Sequence, residues 1–327
     1  MKTLSNMPFR IWVKLFMLRR ILYERQLKRL LDQLSPQRAE ASGVIQIVSL
    51  CSSRSLIEGV ASVSSLTRFL ANGEWGLTVH DDGSLSANDS DWLKQRIPGV
   101  KLIPRSRADT ECLSYLKAQG FATLANFRTI HPVNIKAVDF PYYHHGKRIL
   151  QLDTDVLFFQ KPHELLASFY GSEQKSIFNV DRGPALAYGL DDMNKLAGKK
   201  VDPLFNGGLV SFLASREFHA FAEAVLIANL RRHKDWTLEQ TLTAMFLAKT
   251  TKMERLPPTY DVSFALLALN GFRRSELVSQ HYCAWARMLF ASDYIRFINP
   301  AVRPAAWHIQ RYYRRHLTVP LPDPRIW

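Results

Sequence analysis

The chain has 327 residues, 47% of them hydrophobic, and a formal net charge of +14, which suits one large α/β domain with extensions, or two smaller domains, that meets an acidic partner such as anionic lipid, nucleic acid or a phosphorylated substrate. Three cysteines, Cys51, Cys112 and Cys283, lie far apart, which excludes a disulfide framework and a zinc-ligand spacing and fits a reducing compartment. No apolar run is long enough to span a bilayer, and the N-terminus lacks the apolar centre and cleavage site of a secretory signal, so a cytoplasmic location is expected.

Residues 1–40 carry nine Lys or Arg against three Asp or Glu. On a helical wheel Trp12, Phe16, Tyr23, Leu27, Leu30 and Leu34 share one side. Arg10, Lys14, Arg25, Lys28 and Arg29 cluster on the other, with Arg19 out of place. This basic amphipathic helix fits either an anionic membrane surface on the cytoplasmic face or packing on the domain.

A new rhythm starts at Gly43. Val44 to Leu50 is a first strand, Cys51-Ser-Ser-Arg54 a turn, and Leu56 to Leu70 a helix by apolar spacing. Leu77 to His80 is a second strand ending in the turn signal Asp81-Asp82-Gly83. Asp91 to Arg96 is helical, Pro98-Gly99 breaks it, and Lys101 to Ile103 is a third short strand. This alternation predicts a largely parallel sheet with helices on both faces and ligands beyond the carboxyl ends of its strands. Asp109 to Gln119 is a helix. Phe121 to Lys136 is ambiguous around Pro132, and Asn134 to Phe140 offers one or two helical turns. His144-His145, before Gly146, is expected as a surface turn.

The stretch Arg148-Ile-Leu-Gln-Leu-Asp153-Thr-Asp155-Val-Leu-Phe-Phe159 reads as a buried strand running into two acidic residues. Burying unpaired charge is costly, so packing does not explain the carboxylates. At i and i+2, with a backbone turn, both can reach one ion, and oxygen ligands suit Mg²⁺ or Mn²⁺. Beyond Lys161-Pro162, His163 to Tyr170 is helical and Ser176 to Val180 a strand. Asp181 to Val201 is a polar loop with a short helix. In Phe205-Asn206-Gly207-Gly208-Leu-Val-Ser-Phe212 the paired glycines permit positive φ and close ligand approach before a strand. Arg216 to Arg232 and Thr237 to Ala248 are helices. Thr237 and Gln240 fit a capping box, or Glu239 or Gln240 faces a sugar from the helix start. His281, ahead of Tyr282 and Trp285, offers a neutral imidazole to a metal held by two carboxylates. From Arg273 onward basic and aromatic residues interleave, and Val319 to Trp327 is proline-rich and extended.

In this order the four stretches resemble those of a GT-A fold glycosyltransferase, nearest to the family 8-like nucleotide-sugar transferases. The matching residues are Asp153 and Asp155 in LDTDV, Asn206 to Gly208 in FNGGLV, Glu239-Gln240 with Glu where Asp is usual, and His281 with Tyr282 and Trp285. Lys136 stands about where that family has a basic residue on an earlier helix. The Gly and Lys-Pro that usually follow the histidine are absent, so the resemblance implies another cation to steady the diphosphate, with Arg287 and Lys136 as candidates.

The resemblance covers about residues 43–290. It implies a GT-A catalytic domain over 41–290, flanked by the N-terminal helix of 1–40 and a basic aromatic extension over 291–327. It further implies a nucleotide-diphosphate sugar donor, a glycan or lipid-linked acceptor, and retention of anomeric configuration. Mn²⁺ or Mg²⁺ would be held by Asp155 and His281, with Asp153 on the metal, the ribose or both. Asn206, Gly207 and Gly208 would approach the sugar, with Glu239 or Gln240 near its anomeric region.

Three rival readings remain. A haloacid dehalogenase phosphatase also has an apolar strand ending in Asp-x-Asp, but needs a later acidic pair, and Asp191-Asp192 comes early. A nucleotidyltransferase would carry a glycine-rich basic loop where Cys51-Ser-Ser-Arg54 stands. A non-enzymatic reading has the basic ends, with Trp307, Tyr312 and Tyr313, binding lipid or nucleic acid. No nucleic-acid module is recognisable, so no nucleic-acid partner is expected.

Overall fold

The strands at the centre are mostly apolar because both faces of their sheet are covered. The computed structural model describes residues 9–171, 175–228, 235–263 and 276–298. The first half holds α1 (Phe9–Gln33), β1 (Ile45–Cys51), α2 (Leu56–Thr67), β2 (Trp75–Asp81), α3 (Ala87–Arg96), β3 (Lys101–Ile103), α4 (Arg105–Ala118) and α5 (Ala122–Ile130). A 3-10 turn, Pro132–Asn134, then leads into α6 (Ile135–Tyr143), β4 (Arg148–Leu152), β5 (Val156–Phe158), α7 (His163–Tyr170) and β6 (Lys175–Val180). The rest comprises α8 (Leu190–Ala197), β7 (Phe205–Leu213), α9 (Glu217–Ala228), α10 (Leu238–Thr250), β8 (Lys252–Arg255), β9 (Tyr260–Ser263), β10 (Ser279–Tyr282) and α11 (Arg287–Ile298).

The large sheet has the order β3-β2-β1-β4-β7-β6-β8, and a small one the order β5-β10-β9. β3, β2, β1 and β4 run parallel, as do β6 and β8, while β7 is inserted antiparallel to both β4 and β6. Neighbouring residues of one strand feed opposite cores. Ile45, Ile47, Leu150 and Leu152 join the core that also takes in α2 and α11. Val48, Ile149, Val210 and Phe212 join the core under α5, α9 and α10.

The run from Arg148 to Phe159, expected as one strand, is two. β4 ends at Leu152 in the large sheet, and β5 starts at Val156 in the small one. The two aspartates lie where the backbone changes sheets, which is why a polar pair interrupts an apolar run. The glycine pair also differs from expectation. Gly207 and Gly208 lie inside β7, not in a turn before it, and neither has positive φ.

α1 uses its apolar side on the domain wherever its side chains are described. Leu27 and Leu31 are buried, with Tyr23, Leu30 and Leu34 packed on the same core. Arg96 closes the end of this helix by donating from Nη1 to the carbonyls of Leu31, Asp32 and Leu34. Trp92 Nε1 donates to Asp32 Oδ1 at 2.7 Å. The side chains of Arg10, Trp12, Lys14, Phe16 and Arg19, and all of Trp307, Tyr312, Tyr313 and Val319 to Trp327, lie outside the described residues. α11 runs through residue 290, so no break in secondary structure marks the start of the C-terminal extension.

His144 is a correction. The residue lies in a turn after α6 but is only 4% exposed, because its ring packs against His80 rather than facing solvent. His80, also buried, lies at the end of β2 with its ring near Phe140 and Tyr143. Burial pushes the His144 imidazole down to about 3, with Lys101 and Lys147 adding to the shift, so it is neutral. Beside these rings Arg128, fully buried, donates to both oxygens of Asp139 at 2.6 and 2.9 Å and to Asp109 Oδ1 at 2.5 Å. The fork locks α5 to α6, the helix that carries Lys136. Removing one partner of such a pair strands the other charge. Arg128→Met should therefore cost about 3–5 kcal/mol of unfolding free energy, measured by chemical denaturation.

Candidate functional site

The acidic turn is pinned by backbone bonds on both sides. Asp153 N–H donates to the Gly208 carbonyl on β7, and Tyr282 N–H donates to the Asp155 carbonyl from β10, both at 2.8 Å. His281 on β10 pairs in register with Val156 on β5. Two short strands and one turn thus bring residues 128 positions apart in sequence (Asp153 and His281) into one cluster. Asp153, Asp155 and His281 each present a ligand atom, and these atoms lie within 4.8 Å of one another.

Asn206 sets the orientation of the imidazole. Its Oδ1 accepts from Gly208 N–H at 3.0 Å, which fixes which end of the amide is oxygen. His281 Nδ1, 3.0 Å from that oxygen, must then carry the proton. Nε2 is left facing the acids, 3.1 Å from Asp155 Oδ1 and 4.0 Å from Asp153 Oδ2. Gly208 makes room for this ring, since a Cβ there would lie 2.2 Å from His281 Cε1. Asn206 is itself buried, and its Nδ2 donates to Asp181 Oδ1 at 2.9 Å. Its side chain is therefore engaged with the imidazole and Asp181, not held out toward a sugar. Burial pushes the Asp181 carboxyl up to about 6, against the pull of His281 and Asn206.

Cations flank the turn. Lys136, on α6 and buried, donates from Nζ to Asp153 Oδ1. Burial works against its charge, but Asp153, Glu239 and Asp155 outweigh that and hold its pKa above the usual value. Arg287, the first residue of α11, donates from Nε to Glu58 Oε2 at 2.9 Å and from Nη2 to Thr154 Oγ1 at 3.1 Å. Its Nε is also 3.5 Å from Asp155 Oδ2. Burial opposes ionisation of Asp155, yet Arg287, His281 and Lys136 hold its carboxyl well below the usual range.

Glu239 and Gln240 open α10 beside this cluster. Gln240 Oε1 accepts from Gly207 N–H at 3.4 Å, and its Nε2 donates to the Ala185 carbonyl. The capping box expected from Thr237 and Gln240 does not form. Thr237 makes no side-chain cap bond; Asp235 Oδ1 instead accepts from Thr237 N and Oγ1 at 2.9 and 2.7 Å. Gln240 is thereby released to bridge β7 and the segment before α8. Glu239 is 3% exposed, and its Oε1 has no hydrogen-bond partner among the described residues. Burial pushes its carboxyl up to about 7, with Lys136 opposing and Asp153 adding to the rise.

No protein-family model and no curated protein matches the chain. Among solved structures it is similar to WbbM, a bifunctional glycosyltransferase in its apo form, at 18% identity over 86% of this chain and a TM-score of 0.51. The chain spans 53% of that protein's chain, about half its length. The protein has the GT-A fold. Other similar structures are the apo form of mouse xyloside xylosyltransferase 1, at 12% identity over 72% of this chain and 97% of that one, TM-score 0.47. The galactosyltransferase LgtC, in complex with donor and acceptor sugar analogues, matches at 12% identity over 81% of this chain and 100% of that one, TM-score 0.46.

Within this GT-A fold the structure brings together the acidic, imidazole, basic and glycine residues matched by the resemblance. Asp153, Asp155 and His281 converge directly; Lys136 and Arg287 stand against the two acids; Asn206 and Gly208 hold the imidazole, and Gly207 meets Gln240. Sequence reasoning missed Glu58, Thr154 and Asp181. Asp191 and Asp192, considered for a phosphatase, are exposed on α8 and do not join the cluster.

The three-ligand cluster fits a hard divalent cation, since two carboxylates and the His281 Nε2 converge on one spot and Arg287, His281 and Lys136 hold the Asp155 carboxyl well below the usual range. Without a cation, burial opposes a charge on His281, but Cys283 and the Asp155 carboxylate outweigh it and hold its pKa well above the usual value. Cation binding must then expel that proton. Apparent Mn²⁺ affinity should rise about tenfold per pH unit from pH ~5.5 upward, levelling once the raised pKa is passed. A pH-independent affinity over that range, measured by calorimetric titration, would contradict this ligand set.

Proposed function

We propose that the protein is a glycosyltransferase that moves a sugar from a nucleotide-diphosphate donor to a hydroxyl of a glycan or lipid-linked acceptor, with retention of anomeric configuration. The observation that carries the reading is the convergence of Asp153, Asp155 and His281 in a GT-A fold, flanked by Arg287 and Lys136. In this reading those three residues hold Mn²⁺ or Mg²⁺. A divalent cation bound there would supply charge neutralisation for the diphosphate leaving group.

The chain's own residues do the rest. Asn206 keeps the His281 proton on Nδ1. Lys136 neutralises one oxygen of Asp153 and holds its other oxygen toward the cation site. Arg287 has N–H groups beyond those given to Glu58 and Thr154, and they serve the phosphate oxygens. Gly207 and Gly208 give the Gln240 side chain and the His281 ring room against the β7 backbone. Glu239, with a buried oxygen that has no partner among the described residues and a pKa of about 7, can either donate to or accept from a sugar hydroxyl. Gln240 keeps the start of α10 against Gly207.

Asp155→Ala should lower kcat/KM by about a hundredfold or more while circular dichroism stays that of the parent. A metal-dependent rise in unfolding temperature with one nucleotide sugar from a panel would name the donor. A folded, fully active Asp155→Ala protein would defeat the scheme.

Attachment to an anionic membrane surface belongs to the same reading and draws on residues 1–40. Among the described residues no helix is long and apolar enough to cross a membrane. Ile21 and Leu22 are exposed on α1, 44% and 57%, beside exposed Arg25 and Arg29. The protein should sediment with phosphatidylglycerol vesicles but not with phosphatidylcholine ones, and about 0.5 M salt should release it. Equal partition into both vesicles would remove the electrostatic attachment.

A further inference from the structure

α2 supplies no ligand to the cluster, yet the acidic turn lies along it. Glu58, Ser62 and Ser65 are spaced by four and three, so they share one helix face, and they are 3%, 0% and 0% exposed. Ser62 Oγ donates to the Asp153 carbonyl at 3.2 Å, and Phe158 N–H donates to Ser65 Oγ at 3.0 Å. A Cβ on Gly59 would come within 3.1 Å of Thr154 Cγ2, so the turn rests almost on the helix backbone there. The serines bed the turn through neutral hydrogen bonds. Glu58 instead brings a carboxylate to a buried place, and its guanidinium partner is shared with the metal cluster.

Arg287 Nε is 2.9 Å from Glu58 Oε2 and 3.5 Å from Asp155 Oδ2, so two carboxylates compete for one donor and Glu58 has the better bond. A guanidinium given wholly to Asp155 would cover an oxygen that a cation needs, with the strength of a charge-assisted pair. One drawn toward Glu58 leaves that oxygen available and keeps a positive charge beside it.

We propose that Glu58 is a positioning residue that draws Arg287 off Asp155, so that Asp155 can take a divalent cation while Arg287 stays poised for the cation's anionic partner. The inference rests on the metal-dependent donor site proposed above and adds a competition that sets its affinity.

The test is a titration of the full-length protein with Mn²⁺, followed by electron paramagnetic resonance of free Mn²⁺. Four proteins are compared: the parent, Glu58→Gln, Arg287→Gln and the double variant. Glu58→Gln should weaken Mn²⁺ binding about tenfold, the lower end for outer partners of metal ligands. The double variant should match Arg287→Gln to within about twofold, because no guanidinium remains to close on Asp155. A loss of the same size in both backgrounds would mean that Glu58 only supports the fold, and would overturn the proposal. So would equal Mn²⁺ affinity in the parent and Glu58→Gln. A parent that binds no Mn²⁺ would instead overturn the metal site, and this inference with it. Should Glu58→Gln fail to fold by circular dichroism, Glu58→Asp replaces it, with a smaller loss that again vanishes in the Arg287→Gln background.

Discussion

Two carboxylates held side by side in a mostly buried turn repel one another, and the surroundings of Asp153 and Asp155 are arranged against that repulsion. Lys136 approaches from α6, Arg287 from the start of α11, and His281 from the neighbouring short strand. Each comes from a different part of the chain, so the charge balance is a tertiary property. It is also a constraint on packing. α6 must be held by the Arg128–Asp139 fork, α11 must dock on α2, and β10 must pair with β5 before the two acids can lie so close together.

The fold places the pair at a change of sheet. β4 belongs to the large sheet and β5 to the small one, and only three residues separate them. That short crossing cannot drift, because its two ends are committed to different hydrogen-bond ladders. β7 then approaches antiparallel to β4, and at Gly208 it has no side chain, so the imidazole can sit against its backbone. A site of this kind owes its geometry to strand register more than to loop conformation.

Much of this is legible in the amino-acid sequence. The apolar run into Asp153 and Asp155 showed because charge inside such a run has no packing explanation. The alternation from Val44 to Ile103 gave the parallel half of the sheet because both faces are covered. Other features were hidden for identifiable reasons. The break between β4 and β5 is invisible because Val156 to Phe158 is as apolar as Ile149 to Leu152, and periodicity cannot report a change of partner. The strands β8 and β9 are four residues each and too polar to stand out. The role of Gly208 was misjudged as turn chemistry, since sequence cannot distinguish a glycine needed for φ from one needed for clearance. Glu58, Ser62 and Ser65 could have been noticed as a polar stripe at helical spacing, but a polar stripe ordinarily faces water. His144 was hidden by its neighbours, because a His-His-Gly run has turn chemistry whether or not one ring folds inward.

The clasp of Arg96 on the last carbonyls of α1 bears on how the chain can be shortened. Leu27 and Leu31 are buried in the core that also takes in Phe290 and Tyr294, and α1 packs on α11, so an N-terminus trimmed past them would leave an apolar trough and a stranded guanidinium. The leading helix is therefore in part a keel of the body it precedes. Any shortened version intended for crystallisation or assay keeps its integrity only if it begins upstream of Tyr23.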